Sequence, residues 1–560
     1  MDEKRMRRSV SILFLLVLSI PTFASIRSIS QNMDTPHEVL KWEVVDIPFK
    51  TTPKKVENPY NVEFSADLKG PGNAVMNIPG FYNGNGEWVI RLSLSVPGKW
   101  TYKTSSSLKG LDNKTGYLIV SNEAKYGGHG GVMVNPQKPQ HFMYEDGTPY
   151  YLLAYECDWL YALDYHNDKG APKSEHFLDL LAENGCTQIV MNLFAYDVSW
   201  PKDKRLLNYP EHDLGGPKNI FPFLGNNEKP DYSALNAEFF KKFDRTINMM
   251  NKRGLVSHLM IYVWNKLVKW PDMYTEADNL YFEYVVKRYQ AFPNIVFDIS
   301  KEALAYGRAD DKYILDRIDR VRKLNAYKRL VTVHDFAFCQ RHPDKVDFIS
   351  MQSWTSTLYT LTLNTVNKYT DKPVFNIEHG GYEESPYQVW TGDFTDPEVC
   401  LRRNYLIVFG GAYSTYYWQG CSWNVLIYNP FEQDESFIRP KFVYFKHMRD
   451  LFMKHDVSTL KPDPEKNGSA YCLSNNKGKY LFYVPKENYM IQPNFLRKSA
   501  HKRSYMWFNT LTGEYVPYKT SSAAEGGKTI ISGWQGDVHL ESPWKGKADA
   551  ILVTEILDAQ

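Results

Sequence analysis

Apolar and polar residues follow three different rhythms along this chain. Between about residues 36 and 135 the runs are short and alternate at period two, as in Trp88-Val-Ile-Arg-Leu-Ser-Leu-Ser-Val96 and Lys99-Trp-Thr-Tyr-Lys-Thr104. Turn formers separate them, among them Tyr82-Asn-Gly-Asn-Gly86 and Pro97-Gly98. Such spacing predicts half-buried strands in a β-sandwich of about a hundred residues.

From 136 to 452 the pattern changes to apolar runs interleaved with helical periodicity. Asn236 is placed to cap a helix with Phe240, Phe243, Ile247 and Met250 on one face, stopped by Gly254. Residues 174–183 and 314–324 read the same way. Between the helices lie eight apolar runs: 150–155, 187–194, 255–264, 295–300, 330–334, 348–353, 374–377 and 413–418. Eight strands alternating with helices over about three hundred residues predict a (β/α)8 barrel. A doubly wound open sheet is the competing α/β architecture, but no GxGxxG or phosphate-binding loop follows any strand. From 455 to 560 helix signals vanish, and runs such as Tyr480–Val484 predict a second β-sandwich.

The first 24 residues have a different character. Lys4, Arg5, Arg7 and Arg8 precede an apolar stretch from Val10 to Ile20, and Thr22-Phe-Ala24 offers a small-residue cleavage site. This reads as a secretory signal and predicts a secreted or periplasmic protein. The apolar stretch is too short to span a bilayer comfortably, and no other membrane candidate is present. The chain carries +2 overall; removing residues 1–24 takes away four positive and two negative charges and leaves it neutral. A neutral chain argues against nucleic acid or an anionic membrane as partner.

Composition adds one further hint. Of 560 residues, 15% are aromatic, with 39 Tyr and 14 Trp. Sugar rings stack their apolar faces on aromatic side chains, so a polysaccharide or oligosaccharide partner suits this chain. The six cysteines, Cys157, Cys186, Cys339, Cys400, Cys421 and Cys472, form no CxxC pair and have no clustered His, so no metal site is expected. No cofactor motif is visible either.

In a parallel barrel the C-terminal strand ends meet at one mouth. Here Glu156, Asp158 and Trp159 follow the first predicted strand, and Asn192, Tyr196 and Asp197 the second. Trp264 and Asn265 close the third, Lys301 and Glu302 the fourth, and His334 and Asp335 the fifth. Gln352 and Trp354 end the sixth, Glu378 and His379 the seventh, with Trp418 and Trp423 on or after the eighth. Hydrogen-bonding groups mixed with Trp are what a sugar subsite contains. Glu302 and Glu378 stand out, because cleaving a glycosidic bond needs two facing carboxyls. A separation of about 5–5.5 Å implies retention of anomeric configuration, and ~6.5–9.5 Å implies inversion. A Ser-His-Asp hydrolase would need a GxSxG elbow, and none is evident.

At these residues the chain resembles the apiosidase-like group of (β/α)8 glycoside hydrolases, distant relatives of the clan A retaining glycosidases. The resemblance runs through His141-Phe-Met-Tyr-Glu-Asp-Gly-Thr-Pro149, Glu156-Cys-Asp-Trp159, Phe292-Pro-Asn-Ile-Val-Phe-Asp-Ile-Ser-Lys-Glu302 and Asn376-Ile-Glu378-His-Gly-Gly381. The first region resembles the sandwich that often precedes such barrels, through Gly80-Phe-Tyr-Asn-Gly84 and Gly98-Lys-Trp-Thr-Tyr102. The last resembles their C-terminal β domain, through Trp507-Phe-Asn-Thr-Leu-Thr-Gly513 and Ser542-Pro-Trp544. The resemblance implies Glu302 as acid/base and Glu378 as nucleophile. Two departures stand out: clan A enzymes usually have Asn where Lys301 stands, and the family's Asp-x-x-Trp is here Glu156-Cys-Asp-Trp159.

The expected function is therefore a secreted, retaining glycoside hydrolase that takes no cofactor. Its expected substrate contacts are Glu156, Trp159, Asn192, Trp264, Lys301, His334, Trp354, His379 and Trp418. Long segments after the second, third and eighth strands (200–227, 264–276 and 421–440) predict a walled pocket and exo action. The alternatives are an inverting glycosidase, or an inactive barrel that binds carbohydrate.

Overall fold

A computed structural model describes residues 26–30, 37–51, 58–198, 201–264, 266–383, 387, 396–418, 424–466, 468, 470–488, 490–491, 493, 503–518 and 540–557. The N-terminal apolar run, Trp200, Asn265, Cys421 and Trp423 lie outside them.

Eight parallel strands form the centre. They are β1 (Leu153–Glu156), β2 (Gln188–Asn192), β3 (Val256–Val263), β4 (Ile295–Lys301), β5 (Val331–His334), β6 (Ile349–Gln352), β7 (Val374–Glu378) and β8 (Tyr413–Trp418). Pairing runs β5-β4-β3-β2-β1-β8-β7-β6, leaving one seam between β5 and β6. Asp347 bridges that seam: its N–H donates to Val331 O at 2.9 Å, and its carboxylate accepts from Val331 N at 2.7 Å. Thr332 Oγ1 adds a bond to Phe348 O at 3.1 Å. The result is a nearly closed barrel whose strands are covered on both faces, which is why they read as almost continuous apolar runs.

Helices α1 (Pro172–Glu183), α2 (Ala237–Lys252), α3 (Glu276–Tyr289), α4 (Asp311–Leu324), α5 (Phe336–Arg341), α6 (Leu358–Lys368), α7 (Pro397–Phe409) and α8 (Phe442–Lys454) accompany the strands. Side chains cap several of them, one where the sequence suggests it. Asn236 accepts from Phe239 N, and Asp310, Asp335 and Asp396 cap α4, α5 and α7. The first barrel strand starts later than its apolar run predicts. Pro149–Tyr150 pairs instead with Phe142–Tyr144 in an antiparallel hairpin. Phe142 meets Phe348 and Tyr413 near the starts of β6 and β8, at 5.4 and 5.3 Å, so this hairpin seals the floor.

The N-terminal region forms two sheets, of five and four strands. Their alternating inward residues, among them Phe49, Phe64, Leu68, Trp88, Ile90 and Trp100, make a separate core. Arg91 joins this region to the barrel. Its guanidinium is 1% exposed and forks onto Asp46 and onto Asp244 of α2, which also takes Arg288 of α3.

At the C-terminal end lies a six-stranded antiparallel sheet whose central strands are buried on both faces. Leu481 and Tyr483 face the barrel, where Tyr483 stacks on Tyr405 of α7 at 5.2 Å. Phe482 and Val484 face outward into a small core with Trp507, Ile491 and Leu540, the last two from a two-stranded ribbon. The five described cysteines are buried.

Candidate active site

Two irregularities in the barrel aim the paired glutamates. On β4 the register against β5 shifts between Asp298 and Lys301, so that Lys301 comes to pair with His334. On β7 the register against β6 shifts just before Glu378, which pairs with Gln352. Each shift inserts one extra residue into the glutamate's own strand, and such bulges re-aim the side chains beyond them. A buried polar residue holds each one. Asp298 Oδ1 accepts from Ser300 N at 3.2 Å and from His334 N at 2.9 Å. With its amide turned to satisfy the surrounding carbonyls, Asn376 donates to Met351 O at 2.9 Å and to Glu378 O at 3.0 Å. Below the mouth, Asp298 also binds His258, which meets Gln188, forming a buried polar layer.

Glu302 begins the loop after β4 with φ +58°, an uncommon left-handed conformation for a side-chain-bearing residue. Strained backbone of this kind concentrates at functional sites. Glu302 Oε1 accepts from Gln352 Nε2 at 2.9 Å, and its other oxygen is buried with no hydrogen-bond partner among the described residues. A cavity of about 630 Å³ opens beside it, lined by Glu302, His334, Gln352, Asp335, Phe336 and Arg341 among others.

Glu378, 6% exposed, ends β7. Tyr382 donates to its Oε1 at 3.2 Å, and Lys301 Nζ stands 3.3 Å from its Oε2. The same ammonium donates to Glu156 Oε1 at 2.6 Å. Lys301 is thus buried between carboxylates from β1 and β7. Burial alone would lower its proton affinity, but the charges of Glu156, Glu378, Asp158 and Glu302 outweigh that and hold it protonated. Burial in turn pushes the Glu156 carboxyl well above the usual range, against the pull of Lys301. Asp158 sits 3.3 Å from the buried Lys266; burial works against its charge, yet Lys266 and Lys301 keep it below the ordinary value.

His334 Nε2 lies 3.6 Å from Glu378 Oε2, beyond hydrogen-bonding range. Burial, reinforced by Lys301, pushes its imidazole down to about 4, so it is neutral near pH 7. Asn192, fully buried at the end of β2, has neither amide atom bonded among the described residues. The indole N–H groups of Trp159 and Trp264 are likewise buried and unbonded there. Trp264 stacks on Tyr262 at 5.2 Å, and Trp354 meets Tyr382 edge-on at 5.3 Å. Gly380 permits that last contact, since a Cβ there would lie 2.6 Å from the Trp354 ring at φ +67°.

Not every expected contact joins this cluster. His379 ties β7 to β8 through Nε2 and Thr415 O at 2.8 Å, and burial with Arg403 pushes it down to about 3. Trp418 is 1% exposed at the end of β8. Two members were not singled out in the sequence. Tyr382 follows Glu378 by one helical-turn spacing but lies on an extended segment, and Lys266 sits in a loop where a lysine reads as solvated. No group of His, Cys, Asp and Glu among the described residues is placed to hold a metal ion, and no described helix is long and apolar enough to cross a membrane.

The rim is continuous over three loops. His212 and Leu214 exchange backbone bonds with Leu426 and Asn424 after β8. Asn227 binds the backbone of Leu267 and Lys269 after β3.

The family model described as "Apiosidase-like, catalytic domain" matches residues 136–452, and that of a domain of unknown function (DUF5060) matches 38–107. Among solved structures, the fold is shared with a candidate glycoside hydrolase from Bacteroides vulgatus ATCC 8482, at TM-score 0.72 and 18% identity over 93% of this chain and 100% of that one. A family 5 glycoside hydrolase from the same organism superposes at TM-score 0.53 and 15% identity, over 77% of this chain and 94% of that one. A further structure described as a glycoside hydrolase gives TM-score 0.55 and 15% identity over 77% and 98%. No curated protein matches the chain.

Proposed function

The chain belongs to the apiosidase-like catalytic-domain family, and from that premise we propose that it is a secreted, retaining glycoside hydrolase acting on polysaccharide or oligosaccharide. The observation that carries this reading is the unequal setting of two strand-end glutamates. Glu378 lies against the ammonium of Lys301, while Glu302 is bonded to a neutral amide beside an open cavity. A nucleophile needs its negative charge, and a general acid needs a proton and access to the leaving oxygen.

In the first step a Glu378 oxygen attacks the anomeric carbon and forms an ester bond. The bond from that carbon to the leaving oxygen breaks as Glu302 delivers its proton there. Water then enters, Glu302 takes its proton, and the water oxygen displaces Glu378 from the same carbon. Two inversions give net retention. Neutral His334, Asn192 and the indole N–H groups offer hydrogen bonds to sugar hydroxyls, and Trp264 and Trp354 offer ring faces. The interlocked loops after β2, β3 and β8 support a walled pocket and exo action, releasing one sugar from a chain end. The basic and apolar N-terminal run supports export.

Following the product anomer by NMR on the first aryl glycoside or oligosaccharide cleaved tests the mechanism. Retention is expected, and an inverted first product would overturn it. Product profiling tests the mode: a single released sugar is expected, and an early ladder of oligosaccharides would exclude exo action.

A further inference from the structure

Lys301 takes no part in the steps just outlined, yet it is an almost fully enclosed charge at the mouth. Its side chain is 2% exposed, and its ammonium spans Glu156 Oε1 at 2.6 Å and Glu378 Oε2 at 3.3 Å. Other titratable groups among the described residues also approach Glu378, the Tyr306 hydroxyl of the loop after β4 among them. His334, on β5, is neutral at 3.6 Å, and Tyr382 donates a neutral hydroxyl at 3.2 Å. Lys266, after β3, is paired with Asp158. Asp158 from β1 is held below the ordinary carboxyl value, Glu156 from β1 shares Lys301, and Glu302 after β4 accepts from Gln352. Among the described residues, Lys301 is the one lysine or arginine within ion-pairing distance of Glu378.

A carboxylate this buried, among other carboxylates, is costly to keep charged without a paired cation. We propose that Lys301 is a positioning residue that keeps Glu378 ionised and pins its Oε2, while Glu156 anchors the ammonium from across the barrel. The inference rests on Glu378 as the reacting carboxylate, but its electrostatic content can be measured without any substrate.

Infrared spectra recorded against pH, taken as wild type minus Glu378→Gln, isolate the protonated-carboxyl absorption of Glu378. The same difference is recorded in Lys301→Met, Lys301→Gln and Glu156→Gln backgrounds. In the two lysine variants that absorption is expected to persist to a pH higher by about one unit or more, since an opposite charge within bonding distance is worth that much. Glu156→Gln, which leaves Lys301 to Glu378 alone, is expected to produce no upward move. On a 4-nitrophenyl glycoside that the wild type cleaves, the acidic limb of kcat/KM should move in parallel. Activity lost in Lys301→Met would then be greater at pH 5 than at pH 8, approaching about tenfold on the acidic side of the wild-type limb. An unmoved absorption in a folded lysine variant, or an equal upward move in Glu156→Gln, would overturn the proposal. If neither lysine variant folds, Glu156→Gln decides alone: an upward move sinks the proposal, and none supports it. Full activity in Glu378→Gln would instead sink the glycosidase reading and leave the infrared result standing.

Discussion

Two buried ionic clusters sit at opposite ends of this molecule's purposes. Where the N-terminal sheets meet the barrel, Arg91 and Arg288 face Asp46 and Asp244, two charges against two. All four carboxylate oxygens accept guanidinium hydrogen bonds of 2.6–3.1 Å. Arg288 Nη1 also donates to the Tyr284 hydroxyl at 2.8 Å. At the mouth, the cations paired with the carboxylates Glu156, Asp158 and Glu378 among the described residues are Lys301 and Lys266, and one or more oxygens of these three and of Glu302 lack a hydrogen bond there. The first cluster closes upon itself, as a structural joint does. The second leaves acceptors and donors open, which a stable core tolerates poorly unless something else binds there.

The largest effect that separates the two is catalytic. Glu302→Gln and Glu378→Gln should each lose on the order of 10³-fold or more in rate while melting near the wild-type temperature. Near-wild-type turnover by both variants would remove the distinction. Next comes Arg91→Met, which strands Asp46 and part of Asp244. It should lower unfolding stability by about 3–5 kcal/mol in denaturant titrations, with kcat per folded molecule unchanged. A stable Arg91→Met protein would show the joint to be dispensable.

A smaller effect concerns pH. His334 and His379 are pushed down to about 4 and about 3, below the value of about 6.5 expected in the unfolded chain. The unfolded state therefore binds more protons below pH 6.5. This contribution is fully present above that pH and is lost progressively as pH falls toward 3. The melting temperature should drop on acidification through this window, and less steeply in His379→Gln; an identical slope would exclude His379 as a contributor. The smallest change is Tyr382→Phe, which removes one hydrogen bond to Glu378. It should cost roughly tenfold in kcat/KM with little change in melting temperature, and a loss as large as that of Glu378→Gln would mean that Tyr382 has a role beyond this bond.

Much of this architecture is written locally. Apolar runs of strand length, alternating with capped amphipathic helices, predict the barrel, and Asn236 caps α2 where the sequence places it. Period-two alternation likewise predicts the N-terminal sheets, where Trp88 is 1% exposed, and the loss of helix signals predicts the β-rich C-terminal end, where Trp507 is 1% exposed. The strand ends of Glu302 and Glu378 are visible for the same reason: a run of apolar residues stops there and polar ones begin. The start of β1 was less legible, because an apolar Tyr150 suits the floor hairpin as well as a barrel strand.

What the chain could not reveal on its own is who meets whom at the mouth. Lys301 and Glu156 are 145 positions apart, and the sequence leaves Lys301 open between pairing with Glu302 or Glu156, touching an acidic or sulfated sugar, and standing in solvent until the barrel buries it. The bulges in β4 and β7 obey no local pattern, since an extra residue exists only relative to the strand beside it. Composition and periodicity determined the barrel and the level at which its carboxylates stand. Register, closure and burial decided which of them shares a lysine, because charge pairing in a low-dielectric interior depends on distances that only the closed ring of strands defines.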